Sequence, residues 1–130
     1  MAPFLVSFVG CPVSLEAMEQ YSEQNKLPIS SNRRLLQHLE SIINIPLVLV
    51  CVDEVNGEDQ YYLCYFADCS GRPYDTRDLL AIPVPRAFDQ LRKLIPLGNL
   101  HWLVEPRATF SSYDQSGKIR ENKQIGAGHV

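Results

Sequence analysis

Apolar residues crowd into two runs on either side of Asn56-Gly57: residues 47–52 (LVLVCV) and residues 61–67 (YYLCYFA). Asn-Gly between two strand-like runs is the strongest short-range hairpin signal, so residues 45–68 predict a β-hairpin. Strict alternation would put Leu47, Leu49 and Cys51 beside Tyr62, Cys64 and Phe66. Val48, Val50 and Val52 would then share the other face with Tyr61, Leu63, Tyr65 and Ala67. Both faces are apolar, which places the hairpin at the centre of a sheet, with helices over one face and some other cover over the second.

The flanking pattern supplies those layers. Residues 3–9 alternate loosely and read as a first strand, ending at Gly10-Cys11-Pro12. Ser14 is placed to cap a helix running to about Gln24, whose stripe of Leu15, Met18 and Tyr21 is narrow. Leu27-Pro28-Ile29 breaks it, and Ser30 or Ser31 caps the next helix. There Leu35, Leu36, Leu39, Ile42 and Ile43 recur at helical spacing, and Asn44 with Ile45-Pro46 ends the run. After the hairpin, Ser70-Gly71-Arg72-Pro73 is a turn cluster. Asp75 and Asp78 frame a short helix through Leu79, Leu80 and Ile82, and Pro85 opens another with Phe88, Leu91, Leu94 and Ile95 on its apolar side. Residues 100–104, with the sole tryptophan Trp102, form the last strand. The prediction is an α+β (or α/β) fold: a central hairpin in a small mixed sheet of three to five strands packed with about four helices, in the order β-α-α-β-β-α-α-β. Residues 1–106 make the single globular domain. Residues 107–130 follow as a polar C-terminal hairpin around Asp114-Gln115-Ser116-Gly117, or a tail.

Composition changes this picture only by exclusion. At 130 residues, 45% hydrophobic and 21% charged, the chain has the make-up of one soluble globular domain. A net charge of −3 argues against a nucleic-acid partner. No apolar run approaches the roughly 20 residues needed to span a bilayer. The opening APFLVSFVGC has no Lys or Arg before it, so it reads as a strand rather than a secretory leader, and a cytoplasmic location with reduced cysteines is expected. Cys51 and Cys64 would lie opposite one another across a four-residue loop, but diagonal across a two-residue turn. No Cys-x2-Cys spacing occurs and His38, His101 and His129 are scattered, so neither a metal nor a cofactor is expected.

Three functional readings follow. Two apolar hairpin faces and a run of tyrosines point first to a protein-interaction or homo-oligomerising module, with Val48, Val50, Tyr61 and Tyr65 as the partner-binding residues. The second rests on Cys11-Pro12-Val13-Ser14, between a strand and a helix N-terminus, where free N–H groups favour a thiolate and Ser14 has a hydroxyl to donate to the sulfur. Strand, CPxS, helix, then Ile45-Pro46 and a hairpin resembles the thioredoxin and glutaredoxin pattern over about half the chain. Ser14 stands where that family has a resolving cysteine, and only residues 27–29 are left for its second strand. The resemblance implies Cys11 as nucleophile and Pro46 as a cis-proline contacting a thiol substrate. The third reading is a small-molecule enzyme with a pocket near His101 and Trp102. Asp53, Glu54, Glu58 and Asp59 crowd the hairpin end, where acidic groups keep a turn soluble.

Overall fold

The structure, a computed structural model, describes residues 6–29, 31–55, 57–68, 74–105, 108–113, 118 and 124–126. Along the chain run β1 (Val6–Val13), α1 (Leu15–Gln24), α2 (Asn32–Ile43), β2 (Val48–Val55), β3 (Glu58–Asp68), α3 (Thr76–Leu80), α4 (Arg86–Asp89), α5 (Leu91–Leu94), β4 (His101–Glu105), β5 (Ala108–Ser111) and β6 (Gln124–Gly126). The strands form one sheet in the order β4-β1-β3-β2-β5, with β6 also paired to β3. Every described ladder is antiparallel, so the fold is a small α+β domain and the sheet is not mixed. No helix among the described residues is long and apolar enough to cross a membrane.

Local sequence sets the helix limits. Ser14 Oγ accepts from the Ala17 N–H at 3.0 Å and Ser31 Oγ from the Arg34 N–H at 3.2 Å, each satisfying an N–H left over in the first turn. Asn44 ends α2 in the left-handed conformation, φ 60°, which Asn tolerates better than most residues. Asp75 and Asp78 form a reciprocal capping box on α3. The single helix expected after Pro85 is instead two short ones, α4 and α5, with Pro85 as N-cap rather than first residue.

Among the described residues, helices pack on one face only. There Ala17, Met18 and Tyr21 of α1, Leu35, Leu36, Leu39 and Ile43 of α2, and Leu79, Phe88 and Leu91 of the short helices close over Val9, Cys11, Leu49, Leu63 and Tyr65. The opposite face gathers Val6, Phe8, Val48, Val50, Val52, Cys64 and Ala67 into a second buried cluster that contains no helical residue. Glu40, itself buried, accepts from the Leu47 N–H at 2.7 Å and ties α2 to the start of β2.

Two one-residue register shifts decide which side chain lies on which face. Val55 pairs with Glu58, but Val52 pairs with Gln60, so β2 carries one extra residue between them. Beyond that bulge Val48 faces Cys64 and Val50 faces Tyr62, while Leu49 faces Leu63 and Cys51 faces Tyr61. A one-residue slip exchanges the two faces, which is why the grouping expected from strict alternation is wrong for this hairpin. Cys51 and Cys64 consequently fall on opposite faces, and both are free thiols. The second shift lies between Val9, paired with Phe66, and Gly10, paired with Cys64, leaving Tyr65 extra on β3. Tyr65 and Phe66 therefore both enter the helix-covered cluster.

Residues 108–111 and 124–126 join the same sheet through β2 and β3. Of the second arm expected for a polar hairpin, residues 118–122, only Lys118 lies among the described residues. The turn cluster at 70–73 lies outside them.

At the β1–β3 shift the backbones approach closely. A Cβ on Gly10 would collide with Cys64 Sγ and with the Leu63 carbonyl. Gly10→Ala is expected to cost about 1–3 kcal/mol in urea unfolding, the range for overpacking a tight site. Glu40→Ala should cost about 1.5–3 kcal/mol, the range for losing a charge-assisted bond to a buried N–H. Glu40→Gln, which keeps an acceptor oxygen, should lose less.

Candidate functional site

The corner where β1 passes into α1 is held against the loop after α5. The Gly98 N–H donates to the Pro12 carbonyl at 2.9 Å, and a Cβ on Gly98 would lie 2.5 Å from Pro12 Cγ. Alongside runs the outer limb of β3, with Val13 paired to Tyr61. Between corner and limb opens a cleft of about 710 Å³, lined by Pro12, Val13, Ser14, Leu15, Gly98 and residues 58–61. That volume is within the ordinary range of ligand pockets, roughly 300–1,000 Å³. Its wall is mixed. Leu15 is 53% exposed at the first position of α1, Tyr61 is half-buried, and Glu58 and Asp59 are exposed carboxylates.

Just behind the acidic edge, Cys51, Asp53 and Asp59 bring one ligand atom each within 4.8 Å of one another. Cys51 Sγ donates to Asp53 Oδ1 at 3.7 Å. Partial burial, then the charges of Asp59 and Asp53, push the Cys51 thiol above its ordinary 9.0. A metal there would have to displace that thiol proton, which the two carboxylates hold in place.

The residues singled out from sequence do not assemble into one site. Val48 and Val50 are 0% exposed and lie in the helix-free cluster, whereas Tyr65 is 1% exposed on the helix-covered face, its ring edge-on to Phe88 at 5.0 Å. These three are interior, so the four-residue partner face does not exist as a surface. Tyr61 alone reaches an opening, as part of the cleft.

Cys11 is also interior. It lies in β1, paired with Leu63, rather than in a turn at the helix N-terminus. Arg92 Nη2 donates to its sulfur at 3.2 Å. Burial outweighs that guanidinium, Asp89 adds to burial, and the thiol is pushed up rather than down. Ser14 Oγ is engaged with its own helix through Ala17. The peptide bond before Pro46 is trans, since no cis bond occurs among the described residues. His101 is exposed at the start of β4, edge-on to Tyr62 at 5.9 Å, and does not line the cleft. The Trp102 side chain lies outside the described residues.

The cleft itself escaped the sequence reading because its walls come from three distant segments. Two clues were visible: an apolar residue, Leu15, directly after an N-cap, and carboxylates at 58 and 59 beside a tyrosine.

The buried groups set a pH limit on stability. Burial pushes Cys64 well above 9.0 and Cys11 above it, and holds the Tyr65 phenol up at about 12. Unfolded, the two thiols ionise near their ordinary value while the folded chain keeps them neutral. Their contribution is thus full below that value and is lost as pH climbs from it toward the folded values. The urea midpoint should stay level to about pH 8 and fall above about pH 9. Cys64→Ala should flatten that fall, and an equal fall in the variant would remove Cys64 as its source. Compared with protein families, curated proteins and solved structures, the chain matches none, so the cleft has to be interpreted from its own chemistry.

Proposed function

We propose that the protein is an interaction module that seats a segment of a protein partner in the cleft between the β1–α1 corner and the outer limb of β3. The observation that carries this reading is the composition of the wall: exposed Leu15 and half-buried Tyr61 supply apolar contact, while Glu58, Asp59 and Gln60 ring it with polar groups. Aromatic and aliphatic anchors inside a polar rim are the usual anatomy of a protein interface. Cys11 and His101, the nucleophile and histidine singled out from the sequence, are not among the lining residues. Binding asks less of these residues than catalysis does.

Photo-crosslinking tests the location. With p-benzoylphenylalanine at position 15 or 60, irradiation in the native cell extract should yield one discrete cross-linked species. The same group at Ile42, exposed on α2 away from the cleft lining, should yield none. Cross-linking at position 42 but at neither cleft position would move the binding surface elsewhere and end the proposal.

A further inference from the structure

We infer that the occupant of the cleft is an extended segment of the partner carrying arginine beside an aliphatic residue, an inference that rests on the interaction reading above. None of the described lining residues carries a positive charge, and two of them, Glu58 and Asp59, are carboxylates. The negative field extends past the wall. Asp53 offers a carboxylate within 4.8 Å of Asp59, and Glu16 sits in the first turn of α1 directly beyond Leu15. Glu16 also offsets the positive helix end that would otherwise favour an anion there. Phosphate, carboxylate and nucleic-acid ligands are therefore disfavoured, while a cation is drawn in before contact is made.

The apolar part of the wall narrows the class of cation. A bare metal ion would gain nothing from Leu15 or the Tyr61 ring. An arginine side chain has a three-carbon stem to lay against the exposed Leu15 and a planar guanidinium that stacks on an aromatic face while donating to a carboxylate such as Glu58. Lysine offers only a point charge, more strongly hydrated, and is the weaker fit. About 710 Å³ admits two or three side chains rather than one, which favours a peptide segment over a single small amine.

Defined peptides separate this chemistry from the location already proposed. The full chain, isotope-labelled, is titrated with three acetylated, amidated pentapeptides, GRLRG, GQLQG and GELEG, at low and at high salt. GRLRG should bind saturably, shifting the backbone amides of residues 13–15 and 58–61, with GQLQG at least about fivefold weaker and GELEG undetectable. Raising salt from about 50 to 500 mM should weaken GRLRG severalfold. Glu58→Lys should weaken it about fivefold or more, and Glu58→Gln less, with the unfolding midpoint of each variant confirming that the fold is intact. Equal binding of GQLQG, preference for GELEG, or no saturable binding of GRLRG at millimolar concentration overturns the arginine assignment. Such a result with cross-linking at positions 15 and 60 retained removes only the ligand class, whereas loss of that cross-linking removes the interaction site itself.

Discussion

The pairing of β3 is the constraint on which the rest of the molecule depends. It is the longest strand among the described residues, and β1, β2 and β6 all hydrogen-bond to it. Its two register shifts fix the side chains of all the central strands at once. With the first, the valines of β2 join Cys64 and Tyr62 on the helix-free face; with the second, Tyr65 and Phe66 both turn under the helices. Each shift strengthens the local twist and bends the strand that carries the extra residue. Gly10 permits the inner one, because any larger residue would meet the β3 backbone.

From this sorting follows where binding can occur. Both faces of the central sheet are interior, one under five helices and one gathered around Val48, Val50 and Phe8. The buried thiols Cys11 and Cys64 then act as small packing groups on opposite faces, and their raised proton affinities are the signature of that burial. Chemistry open to solvent is left to the ends of the strands. At the end where β1 enters α1 and β3 leaves its turn, Leu15, Tyr61 and two carboxylates meet around a cleft.

Periodicity and caps made most of the scaffold legible. The helical spacing of Leu35, Leu36, Leu39 and Ile43, the capping serines Ser14 and Ser31, and the pairing of the two apolar runs as a hairpin all correspond to observed elements. The bulges were not legible, because an extra residue in an apolar run leaves the composition of the run unchanged. Missing them exchanged the two hairpin faces and turned core residues into an imagined surface. Cys11 misled for a different reason: Pro12 and Ser14 suggest a turn, but β1 continues through Pro12 to Val13 and holds the thiol inside the sheet. Pro12 accommodates this because its carbonyl, not a missing N–H, makes the contact to Gly98.

The most direct measurement is the folding stability of Val50→Glu. Val50 lies at the middle of the helix-free face, 0% exposed, its backbone in register with residue 62 of β3 and residue 110 of β5. With that face closed, an unpaired carboxylate there should cost at least about 3 kcal/mol in urea unfolding, or prevent folding outright. A variant that folds within about 0.5 kcal/mol of the wild type, as surface substitutions do, would show the face to be open and contradict the closed sheet on which the account rests.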